Sequence, residues 1–150
     1  MSKYRQQGVG LIEVLITAFI LAVGLLGLAA LQTRSLQYNH GAYLRSQATI
    51  LSYDIVDRMR INRTVALAGG YDVNYDVVPT GGSTLVSADL DEWKTLLGDV
   101  LPDGDGAIDC DSNSCTVSLR WTERSGSDAV LEDGEEASEV PVEFAYSTRL

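Results

Sequence analysis

Residues 14–33 are 20 consecutive uncharged residues, most of them Leu, Ile, Val or Ala. A helix rises about 1.5 Å per residue, so this run is about 30 Å long, the thickness of a bilayer's hydrocarbon core. Soluble helices seldom run so far without a polar face. The run therefore reads as a membrane-spanning helix, and the rest of the chain must divide between the two sides. Lys3 and Arg5 precede it, and no acid occurs before Glu13. Positive charge stays on the cytoplasmic side, so the C-terminal part is expected in the periplasm. The run is too long for an ordinary signal core, and no small-residue cleavage site follows it, so the span is expected to persist in the mature protein.

The C-terminal part has a different character. Residues 69–150 carry 18 acidic and 4 basic residues, whereas residues 35–68 carry 4 Arg and 2 Asp. So acidic a surface repels phosphate backbones, which argues against a nucleic-acid partner. It suits an exposed, soluble head.

Helical patterning continues past the apolar run. Leu44, Ala48, Leu51, Ile55 and Met59 recur at spacings that share one helix face. A single helix is expected over about residues 10–62, apolar all round in its first half and amphipathic in its second. Gly24, Gly27 and the stretch Asn39-His40-Gly41 are its expected weak points. Ala68-Gly69-Gly70 is the expected exit. Tyr71, Val73, Tyr75 and Val77 then alternate with polar residues as in a strand. A second helix is expected over residues 89–101, with Asp89 and Glu92 as a capping box and Pro102 ending it. A hairpin follows, and Val140, Val142, Phe144 and Tyr146 mark a last strand. Pro141 assigns that strand to a sheet edge. The acidic stretch 125–138 reads as a mobile loop. The fold class is α+β, a long helix packed on a small antiparallel sheet with one extra short helix.

Within the hairpin, Cys110 and Cys115 fall opposite each other, and either type of antiparallel pair brings Cα atoms within reach of a disulfide. An exported head permits one. A zinc site lacks ligands, since His40 is the one histidine and lies on the long helix. Residues 103–109 resemble the middle of a calcium loop. Its first and last ligand positions would be Leu101 and Ser112, so a turn rich in Asp and Gly is the better reading. No catalytic constellation, phosphate loop, cofactor site or metal site is recognisable, and no enzyme activity is expected.

Glu13 poses the sharpest question, because a carboxylate inside a bilayer costs about 2.5–3.5 kcal/mol. Cleavage between Gly8 and Val9 would remove Lys3 and Arg5 and create an amino group about 6 Å from Glu13 along the helix. Across two staggered helices that amine and Glu13 can neutralise each other and set the register between subunits.

This leader, Gly8, then Val9-Gly10-Leu11-Ile12-Glu13-Val14-Leu15 and a continuous apolar helix, resembles the class III signal of type IV pilins and pseudopilins. The resemblance implies cleavage after Gly8 by a prepilin peptidase, N-methylation of Val9, and docking of Glu13 on a neighbour's amino terminus. It also implies a pilin-like fold, with residues 1–8 as leader, 9–34 as transmembrane and assembly helix, and 35–150 as periplasmic head. LIEVLITAFILAVGLLGLAALQ, DLDEWKTLL and TVSLRWTE look like minor pilins of the PilV type. Ala30 stands where many major pilins have proline, which favours a minor subunit. The implied role is to initiate or prime a type IV pilus from the inner membrane. The implied partners are the major pilin, other minor pilins, the inner-membrane assembly platform and membrane lipid. A type II secretion pseudopilin, a tip-exposed adhesion module and a bitopic protein without a filament are the rival expectations.

Overall fold

The computed structural model describes residues 10–78, 83–111, 113–124 and 139–150. It forms two compact units, Met1–Tyr38 and Asn39–Leu150. The expected mobile loop at 125–138 lies outside the described residues.

The longest element is α1, Leu11–Ile61, an α-helix of 51 residues. No proline interrupts it. Glu13 lies in its first turn and Arg58 and Arg60 in its last, each matched to the helix dipole. The helix runs through the weak point at Asn39-His40-Gly41 without a break. Gly41 has a packing reason instead, since a Cβ at this position would stand 3.1 Å from Glu123 Oε2.

In the first unit every described residue is exposed. The second unit holds the core. There α1 buries Leu44, Ala48, Leu51, Ile55, Val56 and Met59. The short helix α2, Arg63–Ala66, follows. The chain then turns at Gly69, whose φ of 78° suits glycine.

Helix α3 spans Leu85–Val100, four residues earlier than the sequence reading places its start. Thr84 and Ser87 form its capping box, not Asp89 and Glu92. Asp89 is unavailable for capping because it is buried in the helix interior and accepts a 2.7 Å hydrogen bond from the Tyr71 hydroxyl. Leu90, Trp93 and Leu97 face the core as the pattern requires.

The sheet has three antiparallel strands in the order β1-β2-β3. They are β1 (Asp105–Cys110), β2 (Ser114–Arg124) and β3 (Glu139–Arg149). Val117, Leu119 and Trp121 of β2 point into the core, and Val142, Phe144 and Tyr146 of β3 pack on its margin. β3 is an edge strand, with Pro141 opposite Thr122.

The strand expected at 71–78 is reduced to one bridge, Val73 with Ile108. Tyr71 and Val73 are buried, so the alternation correctly marks an inward face. The ladder stops because side chains take its donors. Asp72 Oδ1 accepts from Cys110 N at 3.0 Å, and Asp105 Oδ2 accepts from Asp76 N at 2.7 Å. At Asp76 the backbone turns with φ of 60°.

Candidate functional site

The candidate site is the N-terminal half of α1. The sequence lacks any polar stripe between residues 14 and 33, and the structure leaves this whole surface uncovered. Leu11 is 86% exposed, and Ile12, Leu15, Phe19, Leu21, Leu25, Leu26 and Leu31 are also open. The helix is long and apolar enough to cross a membrane. An apolar surface of this extent marks contact with lipid or with other apolar helices.

The few polar groups here are treated as hydrocarbon demands. The Thr17 hydroxyl donates to Val14 O at 2.9 Å, and the Thr33 hydroxyl donates to Ala29 O at 3.1 Å. Each hydroxyl is satisfied within its own helix, so neither is orphaned in lipid. Glu13 differs. Its amide donates to Gly10 O at 2.9 Å, but among the described residues no cation pairs with its carboxylate. The positive end of the helix dipole is its nearest compensation. Gly8 and Val9 lie outside the described residues.

In the second unit Cys110 and Cys115 are register partners and form a disulfide, with Cα atoms 4.1 Å apart. Asp111 shapes the turn between them. Its Oδ1 accepts from the backbone of Asn113 and Ser114, both at 2.7 Å. Those two bonds hold its carboxyl below the usual aspartate range.

Sequence reading missed the charge network around Asp105, a residue of the calcium-like stretch. Lys94 Nζ donates to Asp105 Oδ1 at 2.6 Å, and Arg120 donates to Oδ2 at 3.2 Å. Arg120 also pairs with Asp76 and lies over the Tyr75 ring, 4.5 Å from its centroid. Burial works against the Asp105 charge, but Lys94 and the amides of Asp76 and Gly106 outweigh it and hold its pKa low. The partners come from α3, β2 and the segment after α2, so no local spacing announces them. Asp103 Oδ2 accepts from the Thr122 hydroxyl at 3.2 Å. Among the described residues no group of three or more His, Cys, Asp or Glu side chains is placed to hold a metal ion. His40 lines a cavity of about 310 Å³ with Leu44, Pro102, Asp103, Thr122 and Glu139.

Residues 3–29 match the family model of the prokaryotic N-terminal methylation motif. This motif supports a type IV pilin-like N-terminus. The match covers Gly8, Val9, Glu13 and residues 14–29 of the apolar run, and its described residues, 10–29, stand uncovered in the structure. No curated protein and no solved structure matches the chain. The motif stands beside a pilin-like architecture, a long N-terminal helix, a three-stranded antiparallel sheet and a short extra helix.

Proposed function

We propose that this type IV pilin-like chain is a minor subunit of a type IV pilus, resembling the PilV type, that helps initiate filament assembly. In this reading a prepilin peptidase removes residues 1–8 after Gly8, and Val9 is N-methylated. Residues 9–34 then hold the protein in the inner membrane with the head in the periplasm. Assembly moves the apolar helix from lipid into a bundle of like helices formed with the major pilin and other minor pilins on the inner-membrane platform. The chain acts by association, without an active site or cofactor.

One observation carries the reading. An acid stands in the first turn of a helix whose N-terminal half, as far as residue 40, is exposed throughout, inside a matched methylation motif. The amino group of Val9 on an adjoining subunit is the natural counter-charge for Glu13. An unpaired carboxylate in the bundle is expensive, so only the correct stagger is favourable. Glu13→Ala is expected to insert into the membrane normally but to be depleted from sheared filaments. Normal incorporation of Glu13→Ala would overturn the role.

The methylation motif equally supports a pseudopilin of a type II secretion system. Co-purification from native membranes separates the two readings, since pilus proteins and secretion proteins are different partners.

A further inference from the structure

The outer edge of β3 has a defined chemistry. Thr122 N donates to Pro102 O at 2.9 Å, toward the β1 side of the sheet. Thr122 therefore exchanges no backbone bond with its register partner Pro141. The backbone of Pro141 faces the free edge, where its missing donor is harmless. With a period of two, the N–H groups of Glu143, Ala145 and Ser147 face the same way, and among the described residues none has a partner. Natural edges are usually guarded by charged side chains, proline, bulges or shortness. β3 is 11 residues long, Pro141 guards only one end, and the charges Glu143 and Arg149 are of opposite sign, so they can pair across two copies.

We propose that this edge pairs antiparallel with the same edge of a second copy of the chain, in the register that sets Glu143 opposite Arg149 of the second copy. In that register Ala145 lies opposite Ser147, Tyr146 meets Tyr146 on the two-fold axis, and Pro141 falls just beyond the ladder. Both Glu143–Arg149 pairs form on the outer face. A shift of two residues either way loses both, and a shift of one turns the core-facing residues outward. Glu143 has an oxygen to offer, because only its Oε1 is engaged, accepting from the Tyr75 hydroxyl at 3.2 Å. Arg149 has no ion pair among the described residues. On the inner face, half-buried Phe144 and Tyr146 gain cover, and Tyr53, edge-to-face with Tyr146 at 5.1 Å, extends that margin.

A two-fold axis normal to the sheet reverses every direction in its plane. The two sheets therefore approach from opposite sides of the shared ladder. The pairing is independent of the filament reading and stands or falls separately.

The test uses the full chain in detergent micelles, with Ala145→Cys and Ser147→Cys as separate variants. The native cysteines are already bonded to each other. Opposite hydrogen-bonded residues have Cα atoms about 5.5 Å apart, within disulfide reach, whereas two copies of the same variant place theirs beyond about 7 Å. Mild oxidation of the mixture is expected to give roughly fivefold more linked dimer than either variant alone, a difference set by the geometric limit on bridging. Glu143→Arg in both chains should lower that yield roughly fivefold, and adding Arg149→Glu should restore it. Equal yields from the mixture and the single variants, or no dimer in any, would overturn the proposal. Association through the apolar helices alone would give no dependence on which β3 position carries the thiol.

Discussion

Trp93 Nε1 donates a 3.1 Å hydrogen bond to the carbonyl of Leu51, tying the middle of α3 to the middle of the α1 segment in the head. Trp93 is fully buried. β1 closes over its ring at Gly106, where a Cβ would collide with Trp93 Cη2 and stand 2.8 Å from Leu97 Cδ1. Replacing Trp93 by Ala should cost about 3–5 kcal/mol. Gly106→Ala should cost about 1–3 kcal/mol by overpacking. Combined with Trp93→Leu it should cost less than the sum, since the smaller side chain makes room. Denaturant unfolding of the four proteins gives the cycle, and strict additivity would contradict the contact.

A second link between α1 and α3 is polar. The Tyr71 hydroxyl donates to Asp89 Oδ2, and Arg58 Nη1 reaches Asp89 Oδ1 at 3.4 Å and Glu92 Oε2 at 2.6 Å. Arg58 in turn holds the Glu92 carboxyl below its ordinary pKa. Tyr71→Phe leaves a buried carboxylate oxygen short of a donor and should cost about 1–3 kcal/mol. In an Asp89→Leu background the same change should cost much less. An unchanged cost there would remove Asp89 from the account.

Acid should weaken the head through Asp105. Its folded pKa lies below the ordinary 3.8. A depressed carboxylate contributes stability that is fully present above the unfolded value and is lost as pH falls through the folded one. Stability should therefore decline as pH drops below about 4. Lys94→Gln removes the closest cation, brings the folded pKa of Asp105 back toward its unfolded value and should make the acid-linked decline smaller. A melting-temperature series against pH reads this directly, and a decline of unchanged size would contradict the role of Lys94.

The disulfide closes a short loop, with a sequence separation of 5. Chain entropy alone then predicts about 2 kcal/mol lost when both cysteines become alanine. Alkylation of the denatured, unreduced protein should label neither thiol. Two labelled thiols would contradict the bridge.

The sequence made some features legible and hid others, for physical reasons. Helix α1 and the β2–β3 faces were readable because burial imposes a period on consecutive residues, as in Leu44 through Met59 and Val117 through Trp121. The cysteine pairing was readable because a tight turn fixes register locally. The 71–78 segment misled, because Asp72 and Asp76 alternate like solvent-facing strand residues yet intercept or redirect backbone bonds. The start of α3 misled because Asp89 has the residue type and spacing of a cap but is claimed by Tyr71, 18 positions away. The Lys94–Asp105–Arg120 network was invisible, since only the folded topology brings those residues together. At the candidate site, Glu13 stood out because its cost in lipid demands a reason. Gly8 and Val9 came from the resemblance, and they lie outside the described residues.

The most direct test of the central claim is intact-mass spectrometry of the protein isolated from its native membrane. The account predicts a chain that begins at Val9, lacks the eight residues before it, and carries one added methyl group on its amino terminus. A chain that still carries Lys3 and Arg5 would leave Glu13 without the counter-charge on which assembly is proposed to depend, and would contradict the account.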